Sequence, residues 1–365
     1  MAETSTIFRL DGVSKRYGDV LALSDVSLSV SGNEYVSLLG PSGSGKTTLL
    51  RVIAGFETPD AGRVYFNGRD ITGLAAHERG IGFVFQNFAL FPHLTVAQNI
   101  GFGLANGIEP VSAPEIGRRV REMIALVGLE GLEGRGVDQI SGGQKQRVAL
   151  ARTLVMEPRL VLLDEPLGAL DANLRNRMRN ELRAIREKLG VTFLHVTGSE
   201  TEALAMGDRV VILDGGAIAQ FAHPDEVYAA PATANVAHFL NRYNLFPGAL
   251  SGGIFNGAFG TLKPATMKPA ARPVCAIRYD RMTVAPESTP TSGPAPDVPA
   301  PDVPALPASF VASEYLGSSV MYFFEADDGQ VIEVEHHLSL GAPQSYTPRA
   351  RYVLSWNPQD AIVFG

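Results

Sequence analysis

The run Gly40-Pro41-Ser42-Gly43-Ser44-Gly45-Lys46-Thr47 lies between two apolar segments of different texture. Ahead of it, Tyr35-Val36-Ser37-Leu38-Leu39 reads as a buried strand. Behind it, Thr47-Thr48-Leu49-Leu50-Arg51-Val52-Ile53 reads as a helix. Glycines in such a turn let several backbone N–H groups point into one concavity, and the helix N-terminus adds its positive end. Lys46 is placed to reach the β- and γ-phosphates of a nucleotide, and the Thr47 hydroxyl to ligate Mg²⁺. A chance Gly/Ser turn would not reproduce all eight positions in that context. A parallel α/β sheet with a nucleotide at its strand ends is the expectation.

A second strand fits the first. Leu160-Val161-Leu162-Leu163 is continuously apolar, as a central parallel strand buried on both faces must be. Asp164 at its carboxyl end would hold the Mg²⁺ shell, and Glu165 would polarise the attacking water as general base. An acidic pair after an apolar strand is by itself only a strand exit. Downstream of a complete phosphate loop, the catalytic reading prevails.

With these residues the chain resembles the ATP-binding subunit of an ABC transporter. Further on, Tyr315-Leu316-Gly317-Ser318-Ser319, Met321-Tyr322-Phe323-Phe324 and Gly329-Gln330-Val331-Ile332-Glu333-Val334 resemble the C-terminal accessory barrel of importer cassettes of the polyamine, iron and sugar type. The resemblance implies a P-loop NTPase cassette with a helical subdomain, followed by a small all-β, OB-like barrel. It places Tyr17, in Lys15-Arg16-Tyr17-Gly18, where an aromatic ring stacks on adenine, and Gln86 where a glutamine senses Mg²⁺ and the attacking water. It makes Phe88-Ala89-Leu90-Phe91-Pro92-His93-Leu94 the segment that meets a membrane subunit. Ser141-Gly142-Gly143-Gln144 would close on the nucleotide of a partner cassette. Ser at a helix start is ordinarily an N-cap, but two glycines in a first helical turn are costly and permit close approach to a phosphate. Leu167-Gly168-Ala169-Leu170-Asp171 matches the segment after the catalytic Glu, where Asp171 crosses the dimer interface; Gly168 stands where the family usually has Ser. The implied cofactors are ATP and Mg²⁺. The implied partners are a second cassette (a homodimer preferred over a heterodimer), integral membrane permease subunits and, indirectly, a solute-binding protein. The implied location is peripheral, on the cytoplasmic face of the cell membrane.

One departure stands out. The family normally has a His after the next strand, in a Val-Thr-His-Asp context, that contacts the γ-phosphate. Here the chain reads Val196-Thr197-Gly198-Ser199-Glu200. His195 is no substitute: at about 3.3 Å per residue it lies about 10 Å away, and the odd offset turns it to the other face. Packing inside the sheet is the expectation for it. Three consequences compete. Hydrolysis persists on the remaining groups, with Ser199 or a water filling part of the gap; the chain pairs with a different, complete cassette; or it binds ATP as a dimerisation switch with little turnover. The first is preferred because every other catalytic position is intact.

At 365 residues, with 45% hydrophobic and 19% charged side chains, the composition is that of a globular chain of two or three domains. A net charge of −7 weighs against nucleic acid as the principal partner. Soluble ABC-type proteins of ribosomes or DNA usually carry two cassettes or a long coiled coil, and this chain shows neither. Cys275 is the only cysteine, which excludes an internal disulfide and fits a cytosolic compartment. No secretory signal is expected from Met1-Ala2-Glu3-Thr4-Ser5-Thr6, and no apolar run approaches the roughly 20 residues that span a bilayer. A transport pathway would therefore have to come from other chains.

The domain boundary is expected near residue 240, giving a cassette over 1–240 and a barrel over 241–365. Helices are expected over Ala113–Val127, Ser141–Val155 and Ala172–Leu189, and short strands with Gly and Pro turns beyond residue 240. Residues 286–307 form a Pro-rich insertion, within which Ala-Pro-Asp-Val-Pro occurs at 295–299 and again at 300–304. Such a repeat cannot build a core. Polyamines lead as substrates, with ferric iron and phosphonates behind, on the resemblance of Phe85–Leu94 and of the barrel.

Overall fold

The computed structural model describes residues 6–107, 111–168, 172–287 and 303–365. Contacts divide the chain into two compact units, Met1–Val227 and Tyr228–Gly365. Asp171 lies outside the described residues, as do positions 288–302 of the Pro-rich insertion.

The first unit runs β1 (Thr6–Tyr17), β2 (Val20–Ser31), β3 (Tyr35–Leu39), α1 (Lys46–Ala54), β4 (Ala61–Phe66), β5 (Arg69–Asp70), β6 (Gly82–Val84), α2 (Val96–Ala105), α3 (Ala113–Leu126), α4 (Gly142–Leu154), β7 (Leu160–Asp164), α5 (Ala172–Leu189), β8 (Thr192–Thr197), α6 (Glu200–Met206), β9 (Arg209–Asp214) and β10 (Ala217–Ala222). Its main sheet has the order β10-β9-β3-β8-β7-β6. The strands from β9 to β6 are parallel and β10 is antiparallel to β9. A second, antiparallel sheet has the order β2-β1-β4-β5.

The period-2 alternation of strand side chains separates two cores on the faces of the main sheet. Leu160 and Leu162 of β7 join the core formed with α1 and the antiparallel sheet. Val161 and Leu163 join the core formed with α2, α3, α4 and α5. Each such side chain contributes about 1.5–3 kcal/mol on burial, so both layers hold β7 in register. Helix α5 is charged along most of its length, yet Met178, Leu182 and Ile185 recur at helical spacing and are buried.

In the second unit, one sheet contains Tyr243–Ser251, Ile254–Gly257, Gly260–Leu262, Thr266–Lys268, Val274–Arg278 and Ile362–Phe364. Thr266–Lys268 pairs in parallel with Ile362–Phe364; the other pairs are antiparallel. The other sheet contains Met282–Pro286, Ala305–Tyr315, Ser319–Ala326, Val331–His337 and Arg351–Trp356, all antiparallel. One apolar core serves both sheets, with Trp356 stacked on Phe246 at 5.4 Å. The Asn244 amide ties the sheets together, donating to the Glu333 carbonyl at 2.7 Å and accepting from its N–H at 2.9 Å. This is the small β-barrel anticipated. The barrel's first strand begins at Tyr243, and the compact unit around it reaches back to Tyr228, with Ala237 packed against Tyr243, Ala276 and Phe364. Cys275 is buried in its core, and burial pushes the thiol up to about 12.

His195 is fully buried in β8, paired with Ser37 and Leu163 on either side and edge-on to Tyr35 at 5.9 Å. Neither ring nitrogen has a hydrogen-bond partner among the described residues. It is a packed strand histidine and takes no part in the surface at Gly198. Burial lowers its pKa to about 3, so the folded chain refuses a proton that the unfolded chain accepts near pH 6.5. Its contribution to stability is therefore full above pH 6.5 and declines progressively as the pH falls towards 3. Relative to His195→Leu, the natural chain should lose about 2 kcal/mol more unfolding free energy between pH 7 and pH 5. Urea unfolding at the two pH values measures this, and equal losses in both proteins would refute the assignment of a neutral buried ring.

Candidate functional site

Because β3, β8, β7 and β6 are adjacent and parallel, their carboxyl ends form one row. The phosphate loop follows β3, Gly198 follows β8, Asp164 ends β7 and Gln86 follows β6. Four sequence positions distant along the chain are thus brought to one edge of the sheet.

The loop is preformed. Gly45 is the N-cap of α1 in left-handed conformation, with φ 102°, and no side chain caps the helix. The first N–H groups of α1 are left for an anion. A Cβ at Gly45 would lie 2.4 Å from the Ala22 carbonyl oxygen, and one at Gly40 2.2 Å from that of Leu213. No other residue fits at either position. The Lys46 ammonium is buried and donates to the Gly40 and Pro41 carbonyls at 2.7 and 2.8 Å. Burial lowers its pKa, while the Glu165 and Asp164 carboxylates act in the opposite direction.

Asp164 is lifted above the usual carboxylate range, first by burial and then by the negative charge of Glu165, with Arg51 and Lys46 opposing. Glu165 itself has φ 44°, in the left-handed region, with its N–H held by the Val196 carbonyl at 3.0 Å. Strain of this kind collects at functional sites. The exposed Gln86 donates through Nε2 to Glu165 Oε2 at 3.0 Å.

The Ser141 turn is a capping box. Ser141 Oγ accepts from the Gln144 N–H at 3.4 Å, and Gln144 Oε1 accepts from the Ser141 N–H at 2.8 Å. Ser141 and Gly142 are exposed, and a Cβ on Gly142 would meet nothing within 4 Å. The same holds for exposed Gly198. Ser199 is the N-cap of α6, accepting from the Glu202 N–H at 3.3 Å. Buried Glu202 accepts from Thr197 Oγ1 at 2.8 Å and pairs with Arg175 at 3.3 Å. Tyr17 is 43% exposed at the β1–β2 hairpin, with the Lys15 ammonium 5.5 Å from its ring centroid.

Sequence reasoning missed the side chains that hold the segment after Gln86. Phe88 and Ala89 are both left-handed, at φ 64° and 45°, which costs roughly 1–2 kcal/mol per residue. The Arg152 guanidinium on α4 donates to the Phe88 and Ala89 carbonyls at 2.9 and 2.6 Å. Fully buried Asn99 accepts from the Phe91 N–H and donates to the carbonyls of Phe91, Leu94 and Thr95. Asn99 belongs to α2, an element the sequence reading omitted. Its signal was there: Thr95 and Gln98 form a capping box ahead of an apolar run. Between α2 and α3 lies a groove of about 510 Å³, lined by small and apolar residues such as Ala97, Gly101, Ile116 and Gly117, and bordered by His93 and Leu94. Among the described residues no helix is long and apolar enough to cross a membrane.

Known proteins share both units. Residues 23–168 match the ABC transporter family and residues 275–364 the TOBE domain. The chain is 39% identical to the spermidine/putrescine import ATP-binding protein PotA of Rubrobacter xylanophilus, over 98% of this chain and 93% of the other. It is 41% identical to PotA of Acidothermus cellulolyticus over 95% and 90%. The sulfate/thiosulfate import ATP-binding protein CysA of Caulobacter vibrioides is 51% identical over 71% and 77%. Among solved structures, a dimeric post-hydrolysis ATP-binding cassette bound to ADP and Pi matches with a TM-score of 0.54 and 33% identity, covering 60% of this chain and 99% of that one. The protein cbiO1 of Clostridium perfringens, part of an ABC transporter complex, matches at 0.58 and 29%, covering 65% and 94%. A phosphate loop with an uncapped helix, carboxylates at the next strand ends and relatives along nearly the whole chain agree: this protein belongs to the ABC transporter family, as an importer-type ATP-binding subunit with a C-terminal TOBE domain.

Proposed function

We propose that this chain hydrolyses ATP to drive an importer of small solutes, polyamines foremost, working as a homodimer on the cytoplasmic face of the membrane. The observation that carries the reading is the shared strand-end row, where Lys46, Asp164, Glu165 and Gln86 gather. The loop of residues 40–48 cradles the phosphates through the backbone N–H groups that follow Pro41, and Tyr17 offers an exposed ring to adenine. Glu165 takes the proton of the attacking water, which Gln86 orients. Thr47 and Asp164 would hold Mg²⁺, with Gln86 completing its shell. The adjacent carboxylates of Asp164 and Glu165 fit a cation, since burial first and the neighbouring Glu165 charge second disfavour the ionised Asp164 without one. When bound there, Mg²⁺ would neutralise phosphate charge.

Openness at Gly142 supports the dimer. Among the described residues nothing lies within 4 Å of a Cβ there, so the first turn of α4 is open to another chain. A partner's nucleotide approaching Ser141, Gly142, Gly143 and Gln144 fits that open face. The α2–α3 groove, next to residues 88–94, is the surface for a membrane permease subunit, which a solute-binding protein would serve in turn. Polyamines are favoured because the spermidine/putrescine relatives match the chain through both units.

Gly198 leaves the hydrolytic set one imidazole short. A Cβ added at Gly198 would meet nothing within 4 Å, so a side chain can start there without a backbone clash. We expect Gly198→His to raise kcat by less than about tenfold, because Glu165, Lys46 and the partner's turn supply most of the stabilisation. Steady-state phosphate release measures it. A rise of 100-fold or more would favour the alternative, a tight-binding dimerisation switch or the weaker half of a mixed pair. Glu165→Gln should lower kcat at least 100-fold, about 2.7 kcal/mol of barrier, while leaving ATP affinity within about threefold. If hydrolysis survived that change, the assignment of the base would be wrong.

A further inference from the structure

The turn that aims Gln86 is built from strained backbone. Phe88 N–H donates to the Phe85 carbonyl at 2.9 Å, closing a four-residue turn with Gln86 and Asn87 at its centre. The residue that closes it, Phe88, and its successor Ala89 are the left-handed pair. Without glycine at either position, the chain by itself would leave this conformation. Arg152 opposes that. Its two terminal nitrogens reach the two successive carbonyls, and its guanidinium carbon lies 5.5 Å from the Phe91 ring centroid. A planar fork of fixed geometry suits two neighbouring acceptors in a way that a lysine ammonium does not. Asn99 secures the stretch from Phe91 to Thr95 and leaves Phe88 and Ala89 to Arg152.

Arg152 stands on α4, the helix that begins with the Ser141 turn. The same helix thus presents the surface for a partner's nucleotide at one end and grips the turn bearing Gln86 near the other. We infer that Arg152 is a positioning residue for hydrolysis: by holding Phe88 and Ala89 left-handed, it keeps Gln86 directed at Glu165. The inference rests on the reading of Gln86 and Glu165 as the hydrolytic pair. Its physical content is that Arg152 matters because the turn is strained, so removing the strain should remove the need for Arg152.

The test is steady-state ATP hydrolysis by the full chain, with and without Arg152, in the natural turn and in a turn carrying Phe88→Gly and Ala89→Gly. In the natural turn Arg152→Ala should lower kcat by about tenfold or more with KM for ATP changed less than about threefold. In the glycine turn the same change should cost less than about threefold, since glycine enters the left-handed region without penalty. Thermal unfolding establishes that each protein is folded. Should Arg152→Ala not fold, Arg152→Lys takes its place, with an expected loss of about threefold or more that likewise shrinks in the glycine turn. A kcat within twofold of the natural chain, or an equal loss in both turns, would overturn the inference. A Glu165→Gln protein assayed alongside separates the two levels. If it still turns over ATP, the hydrolytic reading fails and the inference with it. If it is inactive while Arg152→Ala is normal, the inference alone fails.

Discussion

A buried ammonium bonded to the carbonyls of its own loop is the constraint on which the first unit turns. Lys46 can hold that position only if residues 40–45 fold back over it, and they can do so only where the neighbouring backbone leaves no room for a side chain. The loop is therefore fixed by packing against Ala22 and Leu213, from β2 and β9, before any nucleotide arrives. Anion binding then draws on N–H groups already oriented, so little ordering has to accompany it.

The glycines divide by what demands them. Gly40 and Gly45 are required by this chain, since a Cβ would strike backbone at either. Gly142 and Gly198 stand in open space. At Gly142 the dimer proposed above would bring a partner's phosphates to that open face. Gly198 has no such internal or external necessity in view: it is a gap in the row, and Ser199 beside it is occupied as the cap of α6. The remaining groups of the row are held independently of position 198. Glu165 is fixed through Val196, and Gln86 through a turn gripped from α4.

Much of this was legible in the residues because the decisive constraints are local. A phosphate loop needs eight contiguous positions, and a doubly buried strand shows as an unbroken apolar run, so β3, α1 and β7 could be located closely. Helix α5 was bounded correctly from its charged, helically spaced pattern. Long-range partners left no such trace. That Arg152 grips carbonyls more than sixty residues earlier depends on backbone angles at Phe88 and Ala89, residue types that give no hint of a left-handed turn. Helix α2 was missed although its capping box was written in Thr95 and Gln98, since its apolar face is interrupted by Asn99 and two glycines. The Ser141 turn was ambiguous in the sequence and remains two things at once, an ordinary N-cap within the chain and an open surface towards another. His195 illustrates the reverse case, where strand periodicity alone separated a core residue from a ligand-facing one.

A site completed between two copies of this chain should recover when two inactive variants, Lys46→Ala and Gly142→Arg, are mixed and ATP hydrolysis is measured. Each variant alone makes a dimer with a defect at both sites. A mixed dimer carries both defects at one site and neither at the other. The account predicts that equal mixing restores about a quarter of the natural rate, one site in two for the half of dimers that are mixed. A mixture as inactive as its components would contradict it, and would mean that each chain works on its own nucleotide or with a different partner.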